Sequence, residues 1–183
     1  VTLRQESICV AETTQDTIQF CSRLAPGVFS VHATRSDEII TVAVCSGQGP
    51  VLLTRGEAVH GLKTLLADTE RLAVTHNIKG TGRLLAEAGL PEAALGFDTM
   101  LAAHQLGSIK TALPELALDW LGLRAAKGIA KSSEECSTSA WLNFELFHAL
   151  RPATEECGAP MGQMTKEIEL AKALRRMEDV GLR

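Results

Sequence analysis

The chain never runs apolar for the roughly 20 residues that a membrane-spanning helix needs, and no secretory leader opens it, so no membrane partner is expected. Paired cysteines are missing too. Its five cysteines (Cys9, Cys21, Cys45, Cys136, Cys157) stand far apart with no Cys-x-x-Cys spacing, which argues against structural zinc or a disulfide framework and fits a reducing cytoplasm. An excess of positive charge is also lacking: Lys and Arg number 18 against 22 Asp and Glu, a formal net charge of −4. Residues 1–110 and residues 111–183 carry the same balance, nine cations to eleven anions in each. Without a basic stripe to grip phosphates, this piece alone should bind nucleic acid weakly if at all. The absence of an initiator methionine suggests a fragment of something longer.

What is present is enough for a folded domain. At 183 residues and 45% hydrophobic composition, the chain can bury a real core as one domain, or as one domain and part of a neighbour. Residues 16–25 ("DTIQFCSRLA") read as a short helix stopped by Pro26-Gly27, and Val28–Arg35 follows as a strand. "EIITVAVCSG" (38–47) and "GPVLLTR" (49–55) continue as aliphatic runs parted by glycine, which predicts a three-stranded antiparallel meander. In "GEAVHGLKTLLAD" (56–68), Val59, Leu62, Leu65 and Leu66 share a helical face, and "RLAVTHN" (71–77) then reads as a buried strand. A strand reached through a helix should lie parallel to the first by a right-handed crossover, so the sheet is expected to be mixed.

From residue 78 the pattern turns helical, over 80–89, 98–106, 112–121 and 134–150. Asp98 before Thr-Met-Leu has the place of an N-cap.

"HNIKGTGRLLAEAGL", then "GFDTMLAAHQLG", then "ALPELALDWLG" resembles, in order and spacing, the proofreading-type 3′→5′ exonuclease domain of bacterial DNA polymerase I, from about Val28 to Pro152. The terminal "EIELAKALRRMEDVGLR" (167–183) resembles the start of that family's polymerase domain, a helix ending in Met-Glu-x-x-Gly-hydrophobic. The resemblance implies an α/β fold, a ribonuclease H-like mixed sheet flanked by helices. It divides the chain into an exonuclease-like domain at 1–152 and a linker with the first polymerase helix at 153–183.

Active members of that family hold two divalent cations with four acids, because hard ions such as Mg²⁺ demand oxygen ligands. The first two acids sit two residues apart on the opening strand and so point to one face. Here those positions hold His32 and Thr34. The third ends an Asn-x-Lys-Tyr-Asp motif, written here "NIKGT", so that Asn77 and Lys79 match and Thr81 stands where the Asp would be. The fourth follows a Tyr by four residues on the last helix, and counting back from "LFHALRP" puts Trp141 there and Ser137 at the Tyr. No Asp occurs between Asp119 and Asp179 and no Tyr occurs at all, while Glu134, Glu135 and Glu145 remain as conceivable stand-ins.

A catalytic or metal role is therefore not expected at any of the four. His32 reads as a polar residue at the mouth of a dead site, Trp141 as core filler with Leu142, Phe144 and Phe147, and Asp98 as a cap. Lys79 and Arg83 read as solvated helix charges before phosphate contacts, and His76 and His104 as hydrogen-bonded structural residues before ligands. The expected function is a catalytically inactive exonuclease-like module supporting a DNA-directed DNA polymerase in repair or replication, in the cytoplasm at the nucleoid. Its partner would be the polymerase domain in the same chain, with Mg²⁺ belonging to that parent and DNA reached through it. Two alternatives stay open: an active single-metal nuclease with rearranged acids such as Asp37, Glu38 or Glu135, and a free-standing interaction module.

Overall fold

Side chains alternate along Val28–Ser36 (β2), and that alternation sets the frame of the molecule: Phe29, Val31 and Ala33 enter the main core, while Ser30 and His32 lie under a long helix on the opposite face. The structure, a computed structural model, describes residues 8–124, 133–158 and 161–181. Ile39–Cys45 (β3) and Val51–Arg55 (β4) complete the antiparallel meander expected from the glycine-parted runs. Leu72–Thr75 (β5) pairs parallel to β2, as a strand reached through a crossover should.

Two strands escape the sequence reading. Ile8–Ala11 (β1) lies parallel to β4, and Leu95–Asp98 (β6) lies parallel to β5, giving the order β1-β4-β3-β2-β5-β6. Each is four residues long, too short to display an alternation, and both are sheet edges. Among the described strands β3 alone runs against the others, so the sheet is mixed and the fold α/β.

The first helix, Thr14–Ser22 (α1), starts earlier than expected because Thr13 and Asp16 close a capping box. The expected helix 56–68 begins as a 3₁₀ helix, Gly56–Leu62, and only Lys63–Ala67 (α2) is α-helical. Gly61 is the reason for the close fit there, since a Cβ on it would meet the Thr17 Cβ at 2.5 Å and the Thr14 carbonyl at 2.6 Å.

The remaining helices are Ile78–Glu87 (α3), Thr99–Gln105 (α4), Leu113–Leu121 (α5), Ser133–Glu156 (α6) and Met161–Asp179 (α7). At about 36 Å, α6 is the longest element. It outruns the expected end at 150 and continues through Pro152, which lacks the N–H that would bond the carbonyl four residues back. On one side of the sheet α6 covers Ala43, Cys45, Val51 and Leu53 with Cys136 and Ala140. The larger core joins α3 to α6 through residues such as Leu85, Phe97, Leu116 and Phe147. Phe97 and Phe147 meet edge to face at 4.9 Å, worth about 1 kcal/mol beyond their burial. Met164 and Ile168 of α7 belong to the same core.

Candidate functional site

Three parallel strands, β2, β5 and β6, end on the same side of the sheet, and the crevice outside such ends is where open α/β sheets place their ligands. Ser30 pairs with Val74, so His32 and His76 fall level, one on β2 and the other just past β5. Asp98 closes β6 opposite Thr75.

Asp98 is fully buried and works as a double cap. Its carboxylate accepts the N–H groups of Met100 at 2.8 Å and Leu101 at 3.5 Å, which open α4, and those of Asn77 at 3.1 Å and Ile78 at 2.6 Å, which open α3. The sequence motif identified one of these helices and missed the other. Burial raises its pKa, opposed by the N–H donors from Ile78 and Met100, by His76, and by Asn77.

Asn77 adopts a left-handed backbone (φ 60°), and its side chain accepts the Gly80 N–H at 3.1 Å. That turn brings Thr81 back over the strand end, where its hydroxyl accepts from Thr75 at 2.9 Å and donates to the His76 carbonyl at 3.4 Å. Thr81 is buried and committed to this structural bond. His76 pairs its Nδ1 with the Thr99 hydroxyl at 2.9 Å, the hydrogen-bonded role expected of it.

His32 has a buried Nδ1 with no hydrogen-bond partner among the described residues. Burial, reinforced by neighbouring His76, lowers its pKa to about 4, so the imidazole is neutral at ordinary pH. Thr34 opens instead into a shallow groove shared with Ser36, Asp37, Thr41, Arg55 and Ser133.

From α6, the side chain that reaches this part of β2 is Cys136. Its thiol donates to the His32 carbonyl at 3.6 Å and the Thr41 carbonyl at 3.7 Å, and burial pushes it up to about 12, far from a reactive thiolate. Sequence reading set the cysteines aside as small buried residues, and Cys136 is that; nothing in its local pattern announces its place. Trp141 is half-buried and packs against both core clusters, and Ser137 is buried with its hydroxyl on the Ser133 carbonyl at 3.1 Å. Asn143, unremarked in the sequence, is fully buried and donates to the Val31 carbonyl at 3.5 Å.

Asp37 and Glu38 occupy the β2–β3 turn with φ of 49° and 66°, and they open into different grooves, Asp37 beside Thr34 and Glu38 beside Glu57, His60 and Glu87. Glu134 and Glu135 lie in the first turn of α6. Among the described residues, no three His, Cys, Asp or Glu side chains come together as a metal site. The four positions that the resemblance assigns to metal-binding acids, His32, Thr34, Thr81 and Trp141, carry an imidazole, two hydroxyls and an indole, which lack the anionic oxygens that a pair of Mg²⁺ ions requires.

Lys79 and Arg83 stay 40% and 44% exposed, as solvated charges on a helix should, and they also carry an ion pair. Lys79 reaches Glu178 of α7 at 2.5 Å and Arg83 reaches the other oxygen of the same carboxylate at 2.9 Å. Sequence reading could not pair groups on elements this far apart. His104 is exposed in the last turn of α4 rather than held in a buried network. No helix among the described residues is long and apolar enough to cross a membrane.

Solved structures share this architecture. The catalytic core of RRP6 from Trypanosoma brucei matches with a TM-score of 0.79 at 11% identity, over 93% of this chain and 54% of that one. Escherichia coli RNase D, an exoribonuclease involved in structured RNA processing, matches at 0.78 and 15% identity, over 92% and 50%. The POL domain of Pol1 from M. smegmatis, in complex with DNA primer-template and dNTP, matches at 0.68 and 20% identity, over 88% and 29%. The chain thus spans about half of the first two and under a third of the third. No family model and no curated protein matches it. At these identities the likeness establishes the fold alone: an α/β domain with a ribonuclease H-like mixed sheet flanked by helices.

Proposed function

We propose that this chain is a catalytically inactive 3′→5′ exonuclease-like domain of a DNA polymerase I, acting as a rigid structural module for the DNA-directed DNA polymerase. The carrying observation is which side chains stand at the ends of β2, β5 and β6. The buried carboxylate there, Asp98, spends four hydrogen bonds on helix caps, Thr81 is tied to Thr75, and His32 is neutral. On this reading His32, Thr34, Thr81 and Trp141 stand where an active enzyme keeps its metal-binding acids.

Residues 1–152 form the exonuclease-like part and 153–183 the linker and first polymerase helix. The likeness to the Pol1 chain supports a place beside a polymerase domain, and α7, which joins the domain core through Met164 and Ile168, would transmit a fixed orientation to whatever follows. Nucleotidyl transfer and its Mg²⁺ belong to the polymerase domain. DNA is reached through the parent enzyme, in the cytoplasm at the nucleoid.

The test is a 3′-labelled single-stranded oligonucleotide incubated with the purified protein in Mg²⁺ and in Mn²⁺, beside a His32→Asp/Thr34→Glu/Thr81→Asp/Trp141→Asp variant. No shortening by the unmodified protein is expected. Stepwise, metal-dependent shortening abolished by EDTA would overturn the reading, and activity gained only by the variant would show that the ligands alone were missing.

A further inference from the structure

We propose that Lys79 and Arg83 form a phosphodiester-binding pair on α3 that the acidic end of α7, Glu178 and Asp179, keeps masked as an intramolecular phosphate mimic. This goes beyond the proposed function and does not depend on it.

The two cations stand four residues apart, on successive turns of α3, and Lys79 lies in the turn that leaves the strand-end crevice. One carboxylate bridges them: Oε1 of Glu178 takes Lys79 Nζ at 2.5 Å and Oε2 takes Arg83 Nη2 at 2.9 Å, while Asp179 lies 3.6 Å from Arg83 Nε. A phosphodiester offers the same arrangement, one negative charge over two non-bridging oxygens, so either anion satisfies the pair. Both cations remain 40% or more exposed, open to a ligand from solvent.

Arg175, held by Glu92 and the Gly82 carbonyl, fixes α7 one turn before the mask, so unmasking needs only the Glu178 and Asp179 side chains, or the last turn, to swing away. Beyond it Met177 and Val180 are 47% and 79% exposed, and the apolar anchors Met164, Ile168 and Ala171 lie earlier in the helix. Exposed ion pairs are worth about 1 kcal/mol or less each and weaken with salt. The mask therefore prevails by effective concentration, because its carboxylates are tethered beside the cations. Arg175, whose Nη1 stands 3.7 Å from Asp179, and Glu92, which pairs with Arg175, are the other charges facing this cluster.

The experiment is anisotropy of a labelled oligothymidylate in EDTA, which removes any metal-dependent cleavage from the readout. Glu178→Gln/Asp179→Asn should tighten binding on the order of tenfold at low salt, with a steeper salt dependence. Adding Lys79→Ala/Arg83→Ala should abolish the gain. A charge-exchanged protein, Lys79→Glu/Arg83→Glu/Glu178→Lys/Asp179→Lys, keeps the pairs and should bind no tighter than the unmodified chain. Glu178→Ala alone covers the case in which the double substitution melts α7, read by circular dichroism. Unchanged affinity in a folded unmasked variant, or a gain that survives loss of Lys79 and Arg83, would overturn the proposal. Nuclease activity in the separate assay would overturn the proposed function and leave this one standing.

Discussion

Arg175 of α7 and Glu92, in the segment between α3 and β6, form a nearly buried ion pair at 2.6 Å across 83 residues of sequence. Arg175 also donates to the Gly82 carbonyl at 3.2 Å, so the guanidinium stitches three segments together.

Removing one partner should cost more than removing both. Glu92→Ala leaves a buried guanidinium uncompensated and should destabilise by on the order of 3 kcal/mol, whereas Arg175→Met/Glu92→Leu should lose clearly less. Urea titration of both variants decides it; equal losses would mean that the pair is not desolvated in solution.

Asp98 caps two helices, so its loss should exceed that of an ordinary cap. Asp98→Ala should cost about 3 kcal/mol, against about 1 kcal/mol for a single cap, because four N–H donors lose their acceptor. Asp98→Asn keeps an acceptor oxygen and should fall between. A loss near 1 kcal/mol by urea unfolding would refute the double role.

Acid should weaken the fold through His32. The folded pKa lies at about 4, below the ordinary 6.5, so the unfolded chain binds the extra proton between these values. Stability from this group is fully present above pH 6.5 and declines as the pH falls toward 4. His76 shifts in the same direction by burial and adds to the same limb. His32→Leu should make that limb shallower by up to one proton, about 1.4 kcal/mol per pH unit. An unchanged slope in unfolding measured across this window would show that His32 is protonated in the fold.

Gly61→Ala should cost about 2 kcal/mol, because the new methyl meets the Thr14 carbonyl oxygen and the Thr17 side chain of α1, and a backbone atom cannot swing aside. A melting temperature equal to that of the unmodified protein would show that α1 shifts freely.

The sequence carried the meander, the parallel return of β5 and the helix-rich remainder because those segments are long enough to show their period and are punctuated by glycine and proline. It did not carry β1 or β6, whose four residues show no alternation and whose pairing is set by tertiary context. The assignment of His32, Thr34, Thr81 and Trp141 rests on the family resemblance and stays a proposal, whereas the Asp98 cap was legible as a motif. The long-range partnerships were not: Thr75 with Thr81, Cys136 with the His32 carbonyl, and Lys79 with Glu178 are fixed by how the elements fold back on one another, which no local pattern encodes.

The placement of α6 bears on how the protein folds. Among the described residues, one face of the β2–β4 meander is covered by α6, through bonds such as Ser30 to Ala140 and Val31 to Asn143 that span 110 and 112 residues. Burying Ala43, Val51 and Leu53 therefore depends on contacts of large sequence separation, which should make this layer slow to close as the protein folds.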